Sequence, residues 1–153
     1  MDETKRLDDK VHAGGQIGPE DIEALKAEGF TAIVNNRPDG EGGPEQPTSA
    51  AVRAAAEAAG LAYSYIPMTP QSLSPETLEA FHAAVQASSG KVLAHCRSGA
   101  RSTALWALAE TCHNARDVDA VIADAGQAGY DLSQMRPMLQ QWMQLHEQRA
   151  SRG

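Results

Sequence analysis

Apolar positions fall into short compact runs that alternate with longer stretches at helical spacing. Val11-His12-Ala13 predicts a short strand, ended by Gly14-Gly15. Gly18-Pro19-Glu20-Asp21 then opens a helix, because Pro has no N–H to lose in a first turn and acids favour its positive end. Ile22 and Leu25 continue it, and Gly29 stops it. Residues 30–34 form a compact apolar strand. The loop over residues 35–47 begins Asn35-Asn36-Arg37-Pro38-Asp39-Gly40 and adds further Gly and Pro. A loop of that length in a small domain points to function rather than mere connection. Thr48 or Ser49 caps an Ala-rich helix ending near Gly60, and residues 61–66 read as the next strand. Ser74-Pro75-Glu76 starts a helix through Ala87, and Ser88-Ser89-Gly90 breaks it. Lys91-Val92-Leu93-Ala94-His95 is the last strand and runs straight into Cys96, followed by a helix from about Gly99 to Asn114. Two further helices, over residues 117–128 and 133–148, close the chain. Strands alternating with helices predict an α/β layer fold with a mostly parallel sheet and sites at the carboxyl ends of the strands.

At 153 residues the chain suits one domain, placed at residues 11–149 behind an N-terminal extension over residues 1–10. A net charge of −7 argues against binding nucleic-acid phosphates, which needs a concentrated basic face. No apolar run approaches the roughly 18–20 residues that span a bilayer. The start, Met1-Asp2-Glu3-Thr4-Lys5-Arg6, lacks the apolar core of a secretory signal. Two cysteines cannot build a disulfide framework, so the chain reads as cytoplasmic. Five scattered His show no ligand spacing, and no metal or other cofactor is expected.

The chemistry concentrates at His95-Cys96-Arg97-Ser98-Gly99-Ala100-Arg101-Ser102-Thr103. A cysteine leaving a buried strand just before a helix faces free amides and a positive dipole end, which lowers a thiol pKa. Gly99 lets the backbone curl so that the amides of Arg97, Ser98, Gly99 and Ala100 form an anion nest. Arg101 supplies a permanent forked charge for two oxygens of an anion. Ser102 can hydrogen-bond the sulfur, and His95 can support the loop by hydrogen bonding. The alternative is a buried structural Cys beside two solvated arginines.

These residues resemble the cysteine phosphatase superfamily, in particular its compact dual-specificity-like members. More specifically, the chain is similar to the phosphatase-like domain of beta-lactamase-hydrolase-like proteins, a bacterial family also described as sulfur transferases. The resemblance runs from about Val11 to about Trp142 and includes Gly15-Gln16, Asn36-Arg37-Pro38-Asp39, Ile66-Pro67, Cys96-Arg97-Ser98-Gly99 and Gly129-Tyr130-Asp131-Leu132. It implies a central four- or five-stranded sheet flanked by helices, with Cys96 and Arg101 as catalytic residues. Related domains occur fused to metallo-hydrolase domains linked with sulfide oxidation, which implies a persulfide dioxygenase partner.

Two departures from the phosphatase pattern matter. Cysteine phosphatases place five residues between nucleophile and arginine, whereas four, Arg97 to Ala100, separate Cys96 from Arg101. That shorter loop resembles the rhodanese sulfurtransferases, whose loops often read Cys-Arg-x-Gly-x-Arg. Phosphatases of this kind also protonate the leaving alcohol with an Asp on a loop after an earlier strand. Residues 66–74 here contain no carboxylate, and nothing in the sequence positions Asp39 as a substitute. A sulfite or thiolate leaving group needs no proton. The expected activity is therefore transfer of sulfane sulfur from thiosulfate or a persulfide, through a Cys96 persulfide, to sulfite or a thiol such as glutathione. Phosphate-ester hydrolysis through a phosphocysteine and a non-catalytic anion-binding module are the alternatives.

Other residues take quieter readings. Arg37, Asp39 and His95 are candidates for the pocket rim, against a structural turn at Asn35 and Pro38. Cys112 lies about 15 Å along its helix from the loop and reads as a packing residue. Trp106 reads as packing, and His12, His82, His113 and His146 show no partner pattern. Met135, Met138, Leu139, Trp142 and Leu145 form a stripe that docks the last helix on the core, with a dimer interface as the alternative.

Overall fold

A computed structural model describes residues 3–152; Met1 and Asp2, at the head of the extension, lie outside the described residues. Five strands, β1 (Lys5–Arg6), β2 (Val11–Gly14), β3 (Phe30–Asn35), β4 (Ala62–Tyr65) and β5 (Lys91–His95), form one sheet in the order β1-β2-β5-β3-β4. Only β1 pairs antiparallel; the other pairings are parallel. The predicted α/β architecture is the observed one. Strand β1 escapes the sequence pattern because two exposed residues carry no alternation. The segment before Val11 nonetheless joins the fold. Leu7 is buried, and the Asp8 carboxylate accepts from the Lys10 and Val11 amides and from Trp106 Nε1.

Helices cover both faces. A 3-10 turn (Pro19–Asp21) leads into α1 (Ile22–Ala27), and with α2 (Ser49–Ala58) it flanks one face. Ile22, Leu25, Val52 and Ala56 pack there against Ile33 and Leu93. On the other face α3 (Pro75–Ala87), α4 (Ala100–Cys112), α5 (Val118–Gln127) and α6 (Arg136–Arg152) surround Val34, Val92 and Ala94. Successive strand residues thus serve opposite cores, as the pleat requires. Thr48, Ser74 and Asp117 cap α2, α3 and α5 by accepting the Ala51, Thr77 and Ala120 amides. Helix α4 is the central one, with nine of its thirteen residues buried, Trp106 and Cys112 among them. In the stripe on the last helix, Leu139 is buried and Met135, Met138 and Trp142 pack on the core, while Leu145 stays 47% exposed.

Three histidines expected to stand apart meet where α3, α4 and α6 converge. His82 and His113 stack at 4.4 Å, and His113 meets His146 edge-on at 4.6 Å. They sit on three different elements, so no local spacing could reveal them. His12 packs edge-on against Phe30 at 5.1 Å. No helix among the described residues is long and apolar enough to cross a membrane.

The register sets the position of the site. Gly14, His95, Asn35 and Tyr65 lie level across the sheet, so the chain leaves β2, β5, β3 and β4 along one edge. Backbone hydrogen bonds extend the ladder into these loops: Asn36 N–H to the His95 carbonyl at 2.7 Å, Cys96 N–H to Gly14 at 3.2 Å and Met68 N–H to Asn36 at 2.9 Å.

Candidate active site

Strand β5 delivers Cys96 to this edge, and α4 starts four residues later. Gly99 caps α4 at φ 94°, a conformation that costs a residue with a Cβ about 1 kcal/mol or more. The curl brings the Gly99 N–H to Cys96 Sγ at 3.1 Å. Burial pushes the Cys96 thiol up, but the amides of Ser102, Ser98, Gly99 and Arg101 together outweigh it and hold the thiol below its usual value. Of the four amides expected around the sulfur, those of Ser98 and Gly99 act on it, joined by those of Arg101 and Ser102 in place of Arg97 and Ala100. Cys96 is only 1% exposed, so the sulfur is covered in this conformation.

Arg101 lies close enough to the sulfur for their charges to interact, yet its fork holds a protein carboxylate. Its Nη2 donates to Glu41 Oε1 at 2.7 Å and its Nη1 to Glu41 Oε2 at 2.9 Å. Nη1 also donates to the Met68 carbonyl at 3.0 Å. Arg37 joins the same carboxylate through Nε at 3.0 Å and donates from Nη1 to Gln16 Oε1 at 3.1 Å. The Arg101 fork above all, with Arg37 added, holds Glu41 below the usual carboxylate range despite some burial. Glu41 is thus ionised at neutral pH.

The remaining candidates divide. Arg97 is exposed and makes no ion pair among the described residues, leaving its charge available at the rim. Ser98 is an exposed bend residue and Ala100 the exposed first residue of α4, whose amide donates to Ser98 Oγ at 3.4 Å. Ser102 does not turn its hydroxyl to the sulfur. It donates to Asn36 Oδ1 at 2.8 Å, and Ser102 serves Cys96 through its backbone amide. Arg37 is buried and reaches Arg101 through Glu41. Asp39 turns away to α2, its carboxylate accepting the Ser49 amide at 2.8 Å while its own amide donates to the Tyr65 hydroxyl. His95 is fully buried and neither ring nitrogen has a hydrogen-bond partner, so its ring does not brace the loop as expected; its backbone carbonyl does. Burial pushes its pKa down to about 4, a shift that the Cys96 backbone opposes in part.

Sequence reasoning missed two residues of this assembly. Glu41 lies in the long loop already marked as functional, but only the fold shows that it, rather than Asp39, reaches Arg101. Tyr130 follows α5, and its hydroxyl donates to the Ser98 carbonyl at 3.0 Å. Burial and then the nearby Cys96 charge push the Tyr130 hydroxyl up, keeping it protonated as a donor. Cys112 is buried in the core, and burial pushes its thiol up. No group of three His, Cys, Asp or Glu among the described residues is placed to hold a metal ion.

The profile of the phosphatase-like domain of beta-lactamase hydrolase-like proteins matches residues 4–113. A beta-lactamase hydrolase-like protein of Xylella fastidiosa is 36% identical over 126 residues, 82% of this chain and 29% of that protein. The chain therefore spans less than a third of that relative. A crystal structure of a proposed phosphatase from Neisseria meningitidis has a TM-score of 0.78 at 29% identity, covering 90% of this chain and 96% of its own. PTPMT1 in complex with PI(5)P has a TM-score of 0.72 at 17% identity, covering 97% and 99%, and at that identity the likeness is one of fold. With a mostly parallel sheet that ends at the Cys96 turn and a matching profile over most of its length, the chain belongs to the family of beta-lactamase hydrolase-like phosphatase-like domains.

Proposed function

We propose that this domain is a thiol-nucleophile sulfurtransferase. The Cys96 thiolate attacks the outer sulfur of thiosulfate or of a low-molecular-weight persulfide. The S–S bond of the donor breaks, its electron pair leaves with sulfite or a thiolate, and Cys96 becomes a persulfide. A thiol acceptor such as glutathione then attacks the outer sulfur and Cys96 leaves as the thiolate. The loop amides stabilise negative charge at each stage. No step requires a proton donor.

The observation that supports this reading is a Cys96 thiol held low with no protonated carboxyl beside it among the described residues. Residues 66–74 hold no carboxylate, Asp39 serves α2, and Glu41 is ionised between two arginines. Phosphate-ester hydrolysis is the second reading, favoured by the fold shared with PTPMT1, which was solved with a phosphoinositide. It would use Cys96 and the same amides on a phosphate ester. A persulfide dioxygenase would consume the persulfide product of the first reading.

The two separate in parallel assays, thiosulfate with cyanide or glutathione against p-nitrophenyl phosphate. The aryl phosphate hardly needs an acid, so lack of one cannot excuse failure on it. Sulfur transfer that disappears in Cys96→Ser, with a cyanide-labile gain of one sulfur mass on Cys96, is the expected result. Robust Cys96-dependent phosphatase turnover without sulfur transfer overturns the proposal.

A further inference from the structure

We infer that Glu41 is a charge-selecting residue that matches the site to monoanionic persulfides and disfavours dianionic donors such as thiosulfate; the inference rests on the sulfur-transfer reading. The loop that carries Glu41 is built to hold it in place. Gln46 ties the loop to itself, accepting from the Gly42 amide at 2.6 Å and donating to the Pro38 carbonyl at 3.0 Å. Gly42 packs so closely on Arg37 that a Cβ there would lie 2.6 Å from Nη2. Glu41 Oε1 and Oε2 fill both prongs of the Arg101 fork, the geometry an incoming oxyanion would otherwise take.

The consequence is electrostatic. Arg37 and Arg101 share the single Glu41 carboxylate, so this cluster keeps one net positive charge beside Cys96. A monoanionic persulfide neutralises it. Thiosulfate or a phosphate dianion leaves the site negative, and must displace Glu41 to claim the Arg101 fork. The donor step balances for either class. Cys96 forms the new S–S bond, and a monoanionic thiolate or a dianionic sulfite leaves.

Glu41→Gln and Glu41→Asp test this against two donors, thiosulfate and cysteine persulfide, and against inorganic phosphate as a non-reacting probe. Phosphate occupancy is read as protection of Cys96 from iodoacetamide, which requires no turnover. We expect Glu41→Gln to tighten phosphate protection tenfold or more, and to raise the thiosulfate-to-persulfide ratio of kcat/KM by a similar factor. Glu41→Asp, which keeps the charge but shortens the reach, should move both readouts less than Glu41→Gln does. Unchanged phosphate protection in a folded Glu41→Gln protein, or an unchanged donor ratio, overturns the inference. Absence of transfer from both donors in every protein overturns the sulfur-transfer reading and the donor assignment with it. The phosphate readout then still judges whether Glu41 selects by charge.

Discussion

The Tyr130 hydroxyl stands where a Cβ on residue 99 would have to go. It donates to the Ser98 carbonyl at 3.0 Å, and Gly99 leaves it room while adopting φ 94°. The segment after α5 thereby closes on the turn that presents the nucleophile. Gly99→Ala should cost about 1–3 kcal/mol, from the left-handed backbone and the collision together. It should also raise the Cys96 pKa by displacing the Gly99 amide from the sulfur. Tyr130→Phe removes the colliding oxygen, so Gly99→Ala should cost less on that background, with a coupling of about 1 kcal/mol in denaturant unfolding of all four proteins. Strict additivity would show that the contact does not restrict residue 99.

Arg101→Lys keeps one positive charge but loses the fork that holds Glu41 beside Cys96. The sulfur-transfer rate should fall roughly ten- to a thousand-fold, about 1.4–4 kcal/mol of transition-state stabilisation. Near-parent kcat/KM in a folded Arg101→Lys protein would remove Arg101 from the chemistry.

The two thiols should separate by pH. Cys96 is held low by four amides, whereas burial pushes Cys112 up in the core. Alkylation of the native protein should modify Cys96 with an apparent pKa below that of a free thiol and leave Cys112 unmodified. Cys112→Ala should keep most of the activity and lose at most about 1 kcal/mol of stability. Lost turnover in a folded Cys112→Ala protein would make Cys112 a resolving thiol.

Four of the five strands, the helices and the placement of Cys96 were legible because their signals are local. The run from Lys91 to His95 is apolar, the caps Ser74 and Asp117 precede their helices, and Cys96 stands between strand and helix. The groups gathered around Cys96 were not, because they come from distant loops that the sheet register brings level. Ser102 and Asn36 are 66 positions apart, and Arg101 and Glu41 are 60. No periodicity distinguishes Glu41 from Asp39, and the difference between an anion clamp and a helix cap appears only once the loop is folded. The three-histidine contact is hidden in the same way, each ring arriving on a different helix or helix end.

Acid should destabilise the fold through His95. Its ring is fully buried without a hydrogen-bond partner, and its pKa is pushed down to about 4. In the unfolded chain it titrates near 6.5. The unfolded state therefore binds the proton first as pH falls, and stability drops across the window from about 6.5 to about 4. The stability His95 gives up over that window is about 3 kcal/mol. His12, His82 and His113, whose pKa values are also lowered by burial, act in the same direction. His95→Asn removes the titration, so its unfolding free energy should depend less steeply on pH than that of the parent, whatever its absolute stability. In the parent, the His95 ring resonances should remain those of a neutral imidazole at pH 5.5. A charged His95 ring at that pH, or parallel pH slopes for parent and His95→Asn, would show that burial does not control this histidine.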